Sequence, residues 1–385
     1  MRLLYLNYGP QSGVTAAVMY HLSRLGQDVR VWDPVAGFLY KRQLGRLKVP
    51  NALPFPVVAT AAAMLRFRRD WKDLYVHTCF AFDRLTARCE RAIAAARPDA
   101  VLQNGVLFAP GRMDRVPTYL YCDHTRAIAE AYPALPGLQA PIPFEPGWRR
   151  REEAVYRRAA AIFTMSGFVR GSLLRDYGVD PRRVHVVGAG PHVTPVGAAP
   201  PVRREKAMLF VGSAFARKGG PEAVEAFRPV RARHPDAELW MAGGEQPLRA
   251  PPGVRLLGPR SGEELAPLFA RACAFVLPTL REPFGLAFLE AMSFGLPCIG
   301  TTVEAVPEIV ADGETGLLVP PRDTAALARA MVRLLDDPAA GRAMGEAGRA
   351  RVAARFSWER AVGRMVEVMG RARPTTSPPP LTAAL

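Results

Sequence analysis

The chain alternates short, continuous apolar runs with longer amphipathic stretches. LLYLNYG (3–9) is apolar and ends in glycine, VTAAVMYHLSRLG (14–26) spaces its apolar residues helically, and VRVWD (29–33) is short and apolar again. That order reads as strand, helix, strand, with Gly26 as a helix stop. DAVLQNG (99–105), TYLYCD (118–123) and AAIFTMS (160–166) are unbroken apolar runs. Parallel strands covered on both faces have this character. Residues 167–178 predict a helix and RVHVVGAG (183–190) a further strand. GPHVTPVGAAPPV (190–202) then breaks all periodicity with proline and glycine and reads as a linker. The pattern restarts with strands MLFVGS (208–213), ELWMAGG (238–244), VRLLG (254–258), AFVLPT (274–279), PCIGT (297–301) and GLLVP (316–320). Helices are expected over 220–233, 261–271, 285–295, 305–311, 323–335, 339–354 and 357–372.

Two consecutive sets of alternating strands and helices predict an α/β chain of two doubly wound, Rossmann-like domains. The expected division is a first domain over 1–190, a linker over 191–202, a second domain over 203–356, and a disordered tail over 374–385. Ligands of such sheets bind beyond the carboxyl ends of the strands. With two facing domains, a shared cleft is the expected site.

Composition adds a partner class. The 385 residues are 49% hydrophobic, which excludes disorder of the whole chain. The net charge of +16 comes from 46 Arg and only 5 Lys against 35 acids. Residues 1–200 carry net +12 and residues 201–385 net +4. That asymmetry points to an anionic partner for the first half, a membrane surface or an acidic ligand. WRRREEAVYRR (148–158) mixes acids into its arginines at helical spacing and reads as a solvated helix face. No nucleic-acid-binding motif accompanies it. Five scattered cysteines without a C-x-x-C pair suggest buried thiols in a reducing cytosol. The N-terminus is too short in apolar length for a signal peptide. Residues 52–65, ALPFPVVATAAAML, are too few to span about 30 Å of hydrocarbon. They read as a buried helix or loop, or as an interfacial segment whose flanking Arg66, Arg68 and Arg69 meet lipid phosphates.

The densest chemistry lies in AFVLPTLREPFGLAFLEAMSFGLPCIGTTVEAVPEIVADGETGLLV (274–319). A buried strand ends at Thr279, and Pro283 holds Glu282 in the loop just before a helix. The backbone N–H groups of Phe284, Gly285 and Leu286 are then free to meet a phosphate or a sugar oxygen. Glu290 sits among Ala287, Phe288, Leu289, Ala291 and Met292, where a carboxylate is costly without a partner. A ribose diol would satisfy it, and so would an arginine. The chain has no D-x-D triplet, H-E-x-x-H or clustered metal ligands, so neither a metal nor a cofactor is expected. The GAG at 188–190 lacks the third glycine and the helix of a dinucleotide fingerprint. No P-loop or serine nucleophile elbow is present.

EPFGLAFLE (282–290) and its continuation resemble the E-x7-E region of glycosyltransferase family 4, the retaining group 1 enzymes of the GT-B fold. FVGSAFARKGGPEAVEAF (210–227), FTMSGFVRGSLLRDYGVDPRRVHVVGAG (163–190) and FSWERAVGRMVEVM (356–369) are also family-like, the last as a helix returning to the N-terminal domain. The resemblance is strong over about 160–370 and weak before it. It implies two Rossmann-like domains facing across a cleft, a nucleotide-diphosphate sugar as donor and a hydroxyl acceptor. Glu282 would then hydrogen-bond the donor sugar, Glu290 the ribose, and Lys218 would neutralise the leaving diphosphate. Phe284, Gly285 and Leu286 would contribute amides, with Gly212, Ser213 and Thr279 lining the donor site. The family arginine position is occupied by Ser213, and Arg217 is the candidate replacement. Gly13, sole remnant of a glycine pair, is placed near the diphosphate. His124, Asp123 and Asn104, at strand ends, are candidates for contacts with the donor sugar or acceptor. The first half's charge points to an anionic or lipid-linked acceptor, and the expected location is cytoplasmic, peripheral to an acidic membrane, without nucleic acid. The alternative is a catalytically weak GT-B protein that senses nucleotide sugars or acts as a scaffold.

Overall fold

A computed structural model describes residues 1–9, 13–35, 40–44, 47–50, 76–111, 113–132, 145, 147–195, 205–244 and 249–371. The segment 52–65 and the tail 374–385 lie outside the described residues, as does most of the linker. The chain divides into two compact units: Met1–Met165 with Val169–Val187 and Val362–Leu385, and Ser166–Phe168 with Gly188–Ala361.

The first unit holds a six-stranded parallel sheet in the order β2-β1-β5-β6-β7-β8. Its strands are β1 (Arg2–Leu6), β2 (Asp28–Trp32), β5 (Ala100–Asn104), β6 (Thr118–Cys122), β7 (Ala161–Thr164) and β8 (Val184–Val186). Every residue of β5, β6 and β7 is buried, which is why these strands read as unbroken apolar runs. The edge strand β2 is half exposed. Helix α1 (Val14–Arg24) links β1 to β2. Helix α2 (Cys79–Ala96) starts at Thr78, whose side chain accepts from Ala81 N at 3.1 Å. It buries Phe82, Leu85 and Cys89 on one stripe, the last two packed with Leu4, Leu6 and Val101 of the sheet. A two-stranded antiparallel hairpin, β3 (Tyr40–Leu44) with β4 (Leu47–Pro50), stands outside the main sheet.

Helix α3 (Arg126–Glu130) follows β6, and helix α4 (Trp148–Arg158) corrects one expectation. Its mixed charges suggested a solvated face, yet Trp148, Glu152, Val155 and Tyr156 are buried. These four recur at helical spacing, so the arginines solvate one side while the other packs inward. Helix α5 (Gly167–Tyr177) precedes β8. The cysteines also differ in part from expectation: all five are free, and Cys89, Cys122 and Cys298 are buried, but Cys79 and Cys273 are only half-buried.

The second unit repeats the architecture with order β11-β10-β9-β12-β13-β14, all parallel. Its strands are β9 (Ala207–Val211), β10 (Glu238–Ala242), β11 (Val254–Gly258), β12 (Ala274–Val276), β13 (Cys298–Thr301) and β14 (Gly316–Val319). Its helices are α6 (Gly220–Arg233), α7 (Gly262–Arg271), α8 (Leu286–Ser293), α9 (Val306–Ile309), α10 (Thr324–Asp336) and α11 (Pro338–Arg355). Ser261 and Glu264 form a capping box on α7, and Asp323 and Asp337 cap α10 and α11. From β9 the chain builds outward to β11, then returns to place β12 on the other side of β9. Such a reversal of strand order opens a crevice at the carboxyl ends of the two central strands. Helix α12 (Trp358–Arg371) begins in the second unit and ends in the first.

Candidate active site

The candidate donor residues gather where β9 and β12 end. After β9, a turn carries Gly212 and Ser213 to Lys218, closed by Lys218 N donating to Ala214 O at 2.9 Å and Gly219 N to Ala216 O at 3.1 Å. Gly219 has φ +77°, and a Cβ there would lie 2.0 Å from Pro278 O. Only glycine lets this turn press against the end of β12. The two loops are then joined: Leu280 N donates to Arg217 O at 2.9 Å and Thr279 Oγ1 to the same oxygen at 3.3 Å. Thr301 Oγ1, at the end of β13, donates to Thr279 O at 2.7 Å.

This clamp brings Lys218 Nζ onto Glu282 Oε2, with side-chain exposures of only 14% and 7%. Glu282 is further fixed through its backbone, its N–H donating to Glu304 Oε2 at 2.5 Å. Glu304 stands after β13 with φ +48°, an uncommon conformation for a residue with a side chain. Arg217 Nη1 donates to Arg281 O at 2.7 Å, which holds its guanidinium beside Glu282's loop. The next residues complete a helix start: Gly285 caps α8 with φ +113°, followed by Leu286, while Phe284 is buried with its ring edge toward Phe356. The first amides of a helix point outward along its axis and carry partial positive charge.

Glu290 lies one turn further along α8 and is buried. Its Oε1 accepts from His192 N at 3.4 Å, and the backbone of Val193 also bonds to it. Burial pushes its carboxyl up to about 7; those amides and the charge of Lys218 act in the opposite sense. The His192 ring stacks on Trp358 with centroids 5.3 Å apart.

The first unit presents its candidates at the ends of other strands. Gly13, φ +85°, caps the N-terminus of α1. Asn104 ends β5 and is buried. Asp123 and His124 follow β6 and are half-buried, His124 Nε2 lying 2.7 Å from Tyr132 Oη. Below them, Glu152 from α4 anchors the next residues of that turn. It accepts from Arg126 N at 3.1 Å, from Tyr156 Oη at 3.0 Å and from Tyr177 Oη, which itself accepts from Ala127 N at 2.9 Å. Burial pushes Glu152 up to about 7 as well.

Of the expected site residues, Gly212, Ser213, Arg217, Lys218, Thr279, Glu282, Phe284, Gly285, Leu286 and Glu290 therefore lie in the second unit. Gly13, Asn104, Asp123 and His124 lie in the first. Sequence reading gave no role to Glu304, His192 or Glu152. Glu304 carries a usable signal, a carboxylate one turn beyond the end of a buried strand. His192 and Glu152 act through tertiary contacts that no local pattern announces. Among the described residues, no three His, Cys, Asp or Glu side chains cluster as metal ligands.

Two Rossmann-like units of parallel sheet, the second with its lysine and glutamates at the reversal of strand order, define the GT-B class of fold. Solved structures of that class agree. Sucrose-phosphate synthase from Thermosynechococcus elongatus superposes with TM-score 0.71 at 20% identity, covering 96% of this chain and 99% of that one. WaaG, a glycosyltransferase of lipopolysaccharide biosynthesis, gives 0.65 at 16%, and Anabaena HepE, solved with UDP and glucose, 0.66 at 15%. Residues 205–337 match the family model for glycosyl transferases group 1. Glycogen synthase from Mycobacterium tuberculosis is 32% identical over 223 residues, 54% of this chain and 53% of that protein. An MMP α-(1→4)-mannosyltransferase from Mycolicibacterium hassiacum is 30% identical over 237 residues, 59% and 57% of the two chains. A D-inositol 3-phosphate glycosyltransferase from Salinispora tropica is 31% identical over 255 residues, 57% and 53%. The chain spans about half the length of the curated relatives it matches.

Proposed function

We propose that the chain is a retaining glycosyltransferase that moves a hexose from a nucleotide-diphosphate sugar to a hydroxyl acceptor. The observation that carries this reading is the Lys218–Glu282 pair, held between the ends of β9 and β12 beside the start of α8. When the glycosidic C–O bond breaks, negative charge collects on the departing diphosphate. Lys218, supported by Arg217 and the amides of Phe284, Gly285 and Leu286, stabilises that charge in place. Glu282 accepts from hydroxyls of the donor sugar and Glu290 from the ribose diol. Gly212, Ser213 and Thr279 shape the donor site. The first unit holds the acceptor, with Asp123, His124 and Asn104 at its strand ends and Gly13 at the N-terminus of α1. Attack comes from the face that the diphosphate leaves, and a leaving oxygen takes the acceptor proton. Because Lys218 supplies the cation, transfer should proceed in the presence of EDTA.

The net +12 of residues 1–200 favours an anionic or lipid-linked acceptor at an acidic membrane surface. No helix among the described residues is long and apolar enough to cross a membrane. Co-sedimentation with anionic vesicles that weakens with salt supports a peripheral contact; salt-independent binding counts against it. The donor reading is tested by calorimetry with UDP-, GDP- and ADP-sugars, followed by anomeric analysis of the product. One donor class should bind, and the product should keep the donor's configuration. An inverted product would refute the retaining mechanism.

A further inference from the structure

The residues that carry Glu290's backbone partners are fixed at three points. A Cβ on Gly190 would lie 2.5 Å from Trp358 N, so the chain there lies against the first residue of α12. His192 stacks its ring on that tryptophan's indole, the planes 23° apart. Val193 Cγ2 would meet a Cβ on Gly262 at 3.3 Å, beside the start of α7. Trp358 is itself buried. The segment is thus seated before it reaches the carboxylate, and its amides arrive at Glu290 as preset donors.

We infer that Gly190–Val193, seated by the stack of His192 on Trp358, is a positioning element for the nucleotide: its amides hold the Glu290 carboxylate in place while the carboxylate's remaining lone pairs accept from a ribose diol. This rests on the donor role proposed for Glu290. The physical need is plain. A carboxylate on a largely apolar helix face takes up a proton unless donors favour its charge, and a protonated carboxyl offers a ribose a weaker, misdirected acceptor. The amides of His192 and Val193 supply such donors from the linker side. The charged group acting on Glu290 is Lys218, on the loop before α6, which is shared with Glu282 on the loop before α8. His192 adds a titratable ring on the linker itself. On its other sides α8 meets α11 through Met292 and Gly348, and β13 through Phe288 and Gly300, contacts without charge. His192 touches the substrate nowhere in this scheme; it acts through Glu290.

Calorimetric titration of the full chain with UDP, GDP and ADP, from about pH 5.5 to 8.5, tests the inference against the protonation window it requires. The wild type should bind one diphosphate, more tightly as pH rises through about 7, where the carboxyl ionises. His192→Ala should weaken binding at pH 7 by roughly fivefold or more and move the midpoint upward, as loss of donors to a charged group would. Gly190→Ala, which pushes the segment off Trp358, should do the same. His192→Phe, which keeps the stack, should restore the wild-type midpoint, and Glu290→Gln should bind weakly with a flattened pH dependence. Unchanged affinity and midpoint in His192→Ala overturn the inference while leaving the donor reading intact. Weakening without a midpoint shift, unrescued by phenylalanine, overturns it too, because a structural lesion would do that. Failure of the wild type to bind any of the three diphosphates overturns the donor reading and the inference together.

Discussion

Breaking the Lys218–Glu282 pair should separate its structural role from its chemical one. Both side chains are largely buried, so removing one partner leaves an unpaired charge. Such a loss costs about 3–5 kcal/mol in a fully buried pair. The residual exposure of 14% and 7% argues for the lower end in Lys218→Met. There the largely buried Glu282 carboxylate is left without its ammonium, while its amide still donates to Glu304. Glu282→Gln should cost less, about 1–2 kcal/mol, because the amide oxygen can still accept from Lys218. For a unit of roughly 180 residues, each kcal/mol lowers Tm by roughly 2–4 °C. Lys218→Met should therefore melt about 6–12 °C below wild type. The double variant Lys218→Met with Glu282→Gln should regain most of that, since neither charge is stranded, giving a coupling of about 3 kcal/mol. Transfer activity should not return with it: each single variant and the double should lose roughly a hundredfold or more of turnover. Scanning calorimetry and a product assay on the same four proteins provide both readouts. Strictly additive melting losses would refute the pairing. A stable Glu282→Gln with normal turnover would refute the chemistry.

Other substitutions test neighbouring parts of the structure. Gly219→Ala would set a Cβ 2.0 Å from Pro278 O at φ +77°, so it should cost about 2–4 kcal/mol and weaken diphosphate binding as the Lys218 turn lifts from β12, measured by melting and calorimetry. Glu290 has a folded carboxyl pKa raised to about 7, so its contribution to stability is present below the unfolded value and lost as pH rises through about 7. Glu290→Gln should accordingly raise Tm relative to wild type at pH 8 but little at pH 4, while nucleotide affinity falls. Tyr177→Phe removes a donor to Glu152 and an acceptor for Ala127 N, costing about 1–3 kcal/mol. Since the lost hydroxyl favoured the charged form, the loss measured by thermal melts should be larger at pH 8 than at pH 5.

How much of this was legible before the structure depends on where each interaction lies. The strands AMLFV, AFV and CIGT are buried along all but one residue, so their burial alone wrote the pattern, and the second unit's helices fall within two residues of the expected spans. The α/β class followed directly. The hairpin β3–β4 was not legible because YKRQL carries no apolar alternation and LKVP is only four residues, ending in proline. The buried side of α4 was hidden by its five arginines, although Trp148, Glu152 and Val155 kept helical spacing. Glu282 and Glu290 stood out because a carboxylate beside a strand end or inside an apolar helix violates the local pattern. Arg217 was legible as a charge, but not its bond to Arg281 O, which depends on two loops meeting. Glu304 and His192 likewise gain their roles only when β13 and the linker are brought to α8.

The central claim is sugar transfer at Glu282. Its most direct test is mass-spectrometric detection of glycosylated product and released nucleoside diphosphate, with purified wild-type and Glu282→Gln chains offered a panel of nucleotide sugars and anionic or lipid-linked acceptors. The expected result is product with one donor class in the wild type and at least roughly a hundredfold less in the variant. Bound donor with no product across the panel, or equal product from both proteins, would contradict it.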